Sequence, residues 1–205
     1  MINRAELKLN AKAQIKGNIG ILFLILLLIS LISGAINVIP IAGALVSSLV
    51  ALPAFTLSIA YVYVKLVAGT KPDVADTFYG FKDLWAAFKL NFFVGLFTAL
   101  WSLLFIIPGI IKSLSYSMAH YILAENPGMA ALEAIDRSKA MMDGHKADLF
   151  VLMLSFIGWT LLGAITFGIA YIWIVPYMSA TYVNFYNTIK GEQAAAPVSD
   201  AVAEE

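Results

Sequence analysis

From Gly17 to Val64 the chain runs for 48 residues without an Asp, Glu, Lys or Arg. Further charge-free runs cover residues 90–111 (22 residues), 113–124 (12 residues) and 149–189 (41 residues). A helix that crosses a membrane needs ~20 mostly apolar residues, because the hydrocarbon core is ~30 Å thick and each residue rises ~1.5 Å. The four runs hold enough residues for about six crossings. Composition points the same way. Apolar residues make up 61% and charged residues 13%, against about 45–50% and about 25% in soluble domains. Too few charges are present to coat a water-soluble surface, and too many apolar groups for a disordered chain.

The 48-residue run carries its own break, Gly34 to Gly43 with Asn37 and Pro40 inside it, which is turn chemistry. It resolves into spans at 18–36 and 43–64. The last run breaks near Thr166 and Gly168, giving spans at 148–166 and 169–188. Between them, 90–107 forms one span, Pro108-Gly109 turns the chain, and 110–124 returns. That return is short and carries Lys112, whose long stem can reach the interface. The expected fold class is all-α: a polytopic membrane bundle of six transmembrane helices as three hairpins. It forms a single membrane domain over 1–189, followed by a flexible acidic tail at 190–205.

Charge distribution sets the threading. With six crossings, Arg4, Lys8, Lys12, Lys16, Lys65, Lys71, Lys82, Lys89, Arg137, Lys139, Lys146 and Lys190 share one side, and Lys112 alone lies opposite. The positive-inside rule then places both termini on the cytoplasmic side. Residues 1–35 have the basic start, apolar run and small triplet (Ser33-Gly34-Ala35) of a cleavable signal. The basic region is long, however, and the apolar run continues past the triplet, so the first span is expected to be retained.

The three odd-numbered spans begin alike, with Lys16 and Asn18, Lys89 and Asn91, and Lys146 and Asp148. The lysine can reach phosphate level, and the Asn or Asp can cap the first turn. The pattern fits a triplicated unit, and equally any helix that starts at a cytoplasmic face. An amphipathic stretch precedes each pair of spans. Residues 3–16 open on Asn3 and Glu6, a capping-box-like start. Residues 76–89 set Phe78, Phe81, Trp85 and Phe88 on one helical face, a candidate interfacial surface on the cytoplasmic side. Residues 126–143 begin Asn126-Pro127, read as a cap and first helical residue. In that stretch Leu132, Ile135 and Met142 share a face, Glu133 pairs with Arg137, and Gly144 is the C-cap.

No charge lies deep in an expected span. The main polar set there is Ser113, Tyr116, Ser117 and His120, which share one face at helical spacing. Such a face is either interhelical glue or a polar path. No catalytic residue is assigned: G-x-S-x-G, P-loop and H-x-x-x-H patterns are missing. Two histidines and no cysteine leave no metal set, and no cofactor is expected. A formal net charge of zero makes no case for nucleic acid.

Several segments carry a resemblance: Ile107 to Lys112, Tyr116 to Pro127, Ser138 to Lys146, Leu154 to Trp159, Pro176-Tyr177 and Phe185-Tyr186, together with Lys16-Gly17-Asn18. As a set they resemble a bacterial integral-membrane family, domain-of-unknown-function number nine-seven-five. More distantly they are similar to the membrane domain of glycerophosphoryl diester phosphodiesterases. That domain is non-catalytic, so the resemblance implies a membrane protein and no phosphodiesterase activity. The expected role is a non-enzymatic accessory or lipid- or amphipathic-peptide-handling module, with the bilayer and an unidentified membrane or cytoplasmic protein as partners. The alternative is a small transporter or permease-like protein that uses the polar face around His120.

Overall fold

The computed structural model describes residues 2–39 and 41–195, and every regular element among them is helical. The order is α1 (Arg4–Ile15), α2 (Ile19–Ile36), α3 (Ala42–Val46), a π-helical turn (Ser47–Ala51), α4 (Leu52–Val67), a 3-10 helix (Val74–Phe81), α5 (Leu84–Leu104), α6 (Ile106–Tyr116), α7 (Ala119–Glu125), α8 (Ala131–Met141), α9 (Lys146–Leu154), α10 (Ile157–Ile165) and α11 (Tyr171–Ala195). Among the described residues, four stretches are long and apolar enough to cross a membrane: Ile19–Ile36, Ala42–Val67, Leu84–Leu103 and Lys146–Ile165.

Several expected boundaries move. The third span starts at Leu84, not residue 90, because the Asp83 carboxylate accepts from the Ala86 N–H (3.0 Å) and caps the helix there. Pro108-Gly109 does not make the turn. The chain reverses at the single extended residue Phe105, and Pro108 sits in the first turn of α6, where a missing N–H costs nothing. Residues 110–124 are not one helix but parts of α6 and α7, with a break at Ser117-Met118. α11 runs through Lys190 to Ala195, so the start of the expected tail is helical; residues 196–205 lie outside the described residues.

The connecting segments also differ from expectation. α1 forms as read, with Asn3 Oδ1 accepting from the Glu6 N–H (3.3 Å). Its stripe Leu7, Ala11 and Ile15 is buried, and the helix packs on α11 instead of lying free in the headgroup layer. Residues 76–89 do not form one amphipathic helix. The 3-10 helix ends at Phe81 and α5 begins at Leu84. Asn126 caps the end of α7, and α8 starts five residues later, with Ala130 at its N-cap. Ile135 and Met142 are fully buried, but Leu132 is 47% exposed and leaves their face. The Glu133–Arg137 pair forms at 2.8 Å, and Gly144 takes the left-handed φ of 80°.

α4 lies at the centre. Ala54, Phe55, Leu57, Ser58, Ala60, Val62, Tyr63 and Leu66 are all buried, and α5, α7, α11 and the 3-10 helix pack around it. The 3-10 helix lies along α4 through a graded set of contacts. Lys65 Nζ meets the Asp76 carboxylate at 2.7 Å, and the Tyr61 and Tyr79 rings stack at 3.7 Å. Gly80 N–H donates to Ser58 Oγ (2.8 Å), whose hydroxyl donates to the Ala54 carbonyl (2.9 Å). The Tyr79 hydroxyl donates to the Ala124 carbonyl and ties α7 to the same assembly (3.1 Å). Burial, with Tyr61 and Asp83 nearby, pushes the Tyr79 phenol pKa up.

Close backbone approach fixes this contact. A Cβ at Gly80 would stand 2.0 Å from the Ala54 carbonyl oxygen, whereas one at Gly95 meets nothing within 4 Å. Gly80→Ala must push the two backbones apart, and is expected to lower stability by about 1–3 kcal/mol. Gly95→Ala, inside α5, is expected to raise stability by about 0.5–1 kcal/mol. Thermal unfolding of the two variants in the same detergent checks both signs.

Candidate functional site

The polar set expected on one helical face is split by the break between α6 and α7. Ser113 and Tyr116 lie on α6, Ser117 closes it, and His120 lies on α7. Ser113 Oγ donates to the Ile110 carbonyl and Ser117 Oγ to the Leu114 carbonyl, at 2.8 and 2.7 Å. Those hydroxyls serve their own helix. Tyr116 is buried with its ring 6.2 Å from that of Phe97. His120 Nε2 is buried, with no hydrogen-bond partner among the described residues.

What holds the break open is Ser138 on α8, a residue the sequence reading did not single out as functional. Its side chain is fully buried. The hydroxyl donates to the Ser115 carbonyl (2.8 Å) and accepts from the Met118 N–H (3.2 Å). One serine thus replaces a helical hydrogen bond that the kinked backbone cannot make, and α8 is bonded into the bend. Its sequence signal was a serine inside an otherwise apolar helix face, next to Ala134 and Ile135.

The four aromatic residues expected on one face fall into two groups. Phe78 and Phe81 lie on the 3-10 helix with ring centroids 6.2 Å apart, and Phe81 also meets Phe55 edge-on at 5.3 Å. Trp85 and Phe88 lie on α5 and stack at 5.7 Å. Trp85 is 66% exposed and has Lys89 Nζ 5.5 Å from its ring centre. With Leu49, Val50 and Leu84, the Trp85–Phe88 pair lines an apolar groove of about 400 Å³.

The three similar span starts have no common geometry. Asn18 holds the cap position of α2, but its amide turns back to the Gln14 carbonyl (3.1 Å). Asn91 lies inside α5 and donates to the Ala87 carbonyl. Asp148 lies in the first turn of α9 without capping it. Lys16 is exposed, Lys89 leans on Trp85, and Lys146 pairs with Asp143 at 3.3 Å. The expectation that Asn or Asp caps each first turn is therefore not met.

Two further contacts of charged side chains tie helices together. Glu125, at the end of α7, accepts from the Tyr186 hydroxyl (2.7 Å) and from Lys190, so α7 and α11 are tied there. Lys8 Nζ sits 4.4 Å from the Phe156 ring centre and donates to the Ser155 carbonyl. Burial, with Arg4 beside it, lowers the Lys8 pKa from the usual lysine value.

Between α6 and α9 lies a second apolar groove, of about 500 Å³. Ile107, Ile110, Ile111 and Leu114 form one wall, Ala147 and Phe150 the other, and Lys146 borders the groove from the first residue of α9. The α6–α9 groove thus combines hydrocarbon walls with the Lys146 ammonium, and the Lys89 ammonium stands over Trp85 beside the other.

The chain matches the family described as a protein of unknown function (DUF975) over residues 1–115 and 103–193. It belongs to that family of uncharacterised proteins, as the residues quoted for the resemblance implied. No curated protein and no solved structure matches it.

Ser138→Ala removes both bonds at the α6–α7 break and leaves a buried donor and a buried acceptor without partners. The expected loss is about 1–3 kcal/mol. Hydrogen exchange at the Met118 amide should rise with it. An unchanged melting temperature together with an unchanged exchange rate would contradict the bridging role.

Proposed function

We propose that this protein is a non-enzymatic bacterial plasma-membrane module that holds an amphipathic ligand, either a lipid of the bilayer or the apolar face of a peptide helix. The observation that carries the reading is the chemistry of two of its open grooves, the apolar ones. Hydrocarbon side chains line both; Lys146 borders the first, and the Lys89 ammonium lies 5.5 Å from the ring centre of Trp85, which lines the second. A small polar solute finds no set of donors and acceptors in such walls, whereas an amphipath matches both parts.

In this reading the chain crosses the membrane six times as three hairpins. α6–α7 and α11 supply the two crossings beyond the four apolar stretches. α11 is long enough, with 25 residues, and buries Ile174, Tyr177, Ala180, Thr181, Val183, Asn184 and Phe185. A helix turned toward protein needs less hydrocarbon on its surface than one turned toward lipid. The twelve lysines and arginines on the side of the termini support a cytoplasmic placement of both ends. A reporter fused after Glu205 is expected to stay protected from protease added to intact cells; digestion of that reporter would overturn the threading.

The ligand reading is tested by titrating the detergent-solubilised protein with a dansyl-labelled phospholipid and, separately, with a dansyl-labelled amphipathic helical peptide. Saturable binding of either is expected, and Trp85→Ala with Phe81→Ala is expected to weaken the peptide arm. Linear, unsaturable partitioning of both probes would remove the reading. The carrier alternative draws on one observation, the buried and unpartnered His120 Nε2. Solute flux in proteoliposomes that His120→Ala abolishes is the result that would favour it.

A further inference from the structure

We propose that the groove between α6 and α9 is a phospholipid site, with one acyl chain lying along the groove and a zwitterionic, ammonium-bearing headgroup at its charged end. This rests on the amphipath reading and names the ligand class for one of the two grooves.

The wall on α6 comes from Ile107, Ile110, Ile111 and Leu114, spaced i, i+3, i+4 and i+7. That spacing makes an unbroken apolar stripe along one side of a helix. Ala147 and Phe150 face it from α9, and Ala147 keeps the crevice open by being small. The volume of about 500 Å³ falls in the range of small-ligand sites. Nothing in the walls can hydrogen-bond a ligand, so they select for hydrocarbon.

The charged end reads in a definite order. Lys146 borders the groove itself. Asp143 lies beyond it, with Oδ1 3.3 Å from the Lys146 ammonium, and is 84% exposed on its side chain. The sequence along the site is therefore hydrocarbon, positive, negative. A phospholipid with an ammonium headgroup carries hydrocarbon, then a negative phosphate, then a positive nitrogen. The two patterns are complementary position by position. A net-anionic lipid would satisfy Lys146 but bring like charge toward Asp143 and toward Asp148 in the first turn of α9. Electrostatic complementarity of this kind sets preference more than raw affinity.

The test uses delipidated full-length protein incubated with an equimolar mixture of phosphatidylethanolamine and phosphatidylglycerol of identical acyl chains. Retained lipid is counted by native mass spectrometry. The wild type is expected to favour phosphatidylethanolamine by about two- to fivefold, the scale of one exposed ion pair. Asp143→Asn should bring that ratio to one or reverse it. Asp143 is exposed, so this variant does not depend on a change in packing. Ala147→Trp and Ile111→Trp, each filling the groove, should cut total retained lipid at least severalfold while the elution volume and helical circular dichroism stay as in the wild type. Preferential retention of phosphatidylglycerol by the wild type, or a ratio insensitive to Asp143→Asn, would overturn the headgroup assignment. Retention that survives both tryptophan variants would overturn the groove. Failure of the wild type to retain any lipid or bind the labelled peptide would instead remove the broader amphipath reading, so the two failures are distinct.

Discussion

In apolar surroundings no water takes over a hydrogen bond that a helix gives up, so every irregularity must be repaired from within the chain. This fold is organised by such repairs. Pro53 cannot donate, and the turn before it widens into the π-helical segment Ser47–Ala51. The kink between α6 and α7 is closed by the Ser138 hydroxyl. At the end of α10, Thr166 Oγ1 donates back to the Leu162 carbonyl and accepts from the Ala170 N–H. Tyr171 then lies across Gly163 and donates to the Thr160 carbonyl, which fastens the start of α11 to α10. Each repair also ties one element to another, so backbone satisfaction and tertiary packing are achieved by the same side chains.

That double use explains what the sequence revealed and what it hid. The charge-free runs gave the apolar helices because lipid imposes a requirement that is uniform along a span and so visible in composition. α2 was placed within one residue of its observed start, at Ile19. Breaks were less legible, since they depend on partners distant in sequence. Nothing local to Ser117-Met118 marks a kink, because the group that stabilises it is twenty residues away on α8. Pro108-Gly109 looked like a turn on residue type alone. The same pair suits a helix start, and the small Gly109, which a Cβ would drive into Ser102, lets α6 lie close against α5. The aromatic set Phe78, Phe81, Trp85 and Phe88 kept helical spacing on paper but lost it to the cap at Asp83.

Hydropathy also misjudges depth in a way that has a physical reading. Three of the four apolar stretches bury little against the rest of the protein, with 11% for Ile19–Ile36, 17% for Leu84–Leu103 and 22% for Lys146–Ile165, whereas Ala42–Val67, which holds the central α4, reaches 44%. The first three need an apolar surface because lipid, not protein, faces most of it. α11 is more polar, with Thr181, Asn184 and Tyr186 all buried in the interior. Its polar groups find partners there: Thr181 donates to the Tyr177 carbonyl, Tyr186 to Glu125, and Asn184 to Gln14. In α11, weak hydropathy goes with burial inside the bundle.

The amide pair between Gln14 and Asn184 shows how the two ends of the chain are joined. Gln14 Nε2 donates to Asn184 Oδ1 at 3.1 Å, and Asn184 Nδ2 donates to Gln14 Oε1 at 2.7 Å. Because each amide both gives and receives, neither a carboxylate nor an apolar replacement at one position keeps both bonds. The pair sits beside the buried Ala11 and Ile15 stripe, where an unmade bond is costly. It therefore fixes α1 in rotation as well as in position. α1 in turn reaches α9 through Lys8 and the Ser155 carbonyl. The basic N-terminal helix, whose own sequence suggested only a surface float, is thus packed on α11 and bonded to the C-cap of α9.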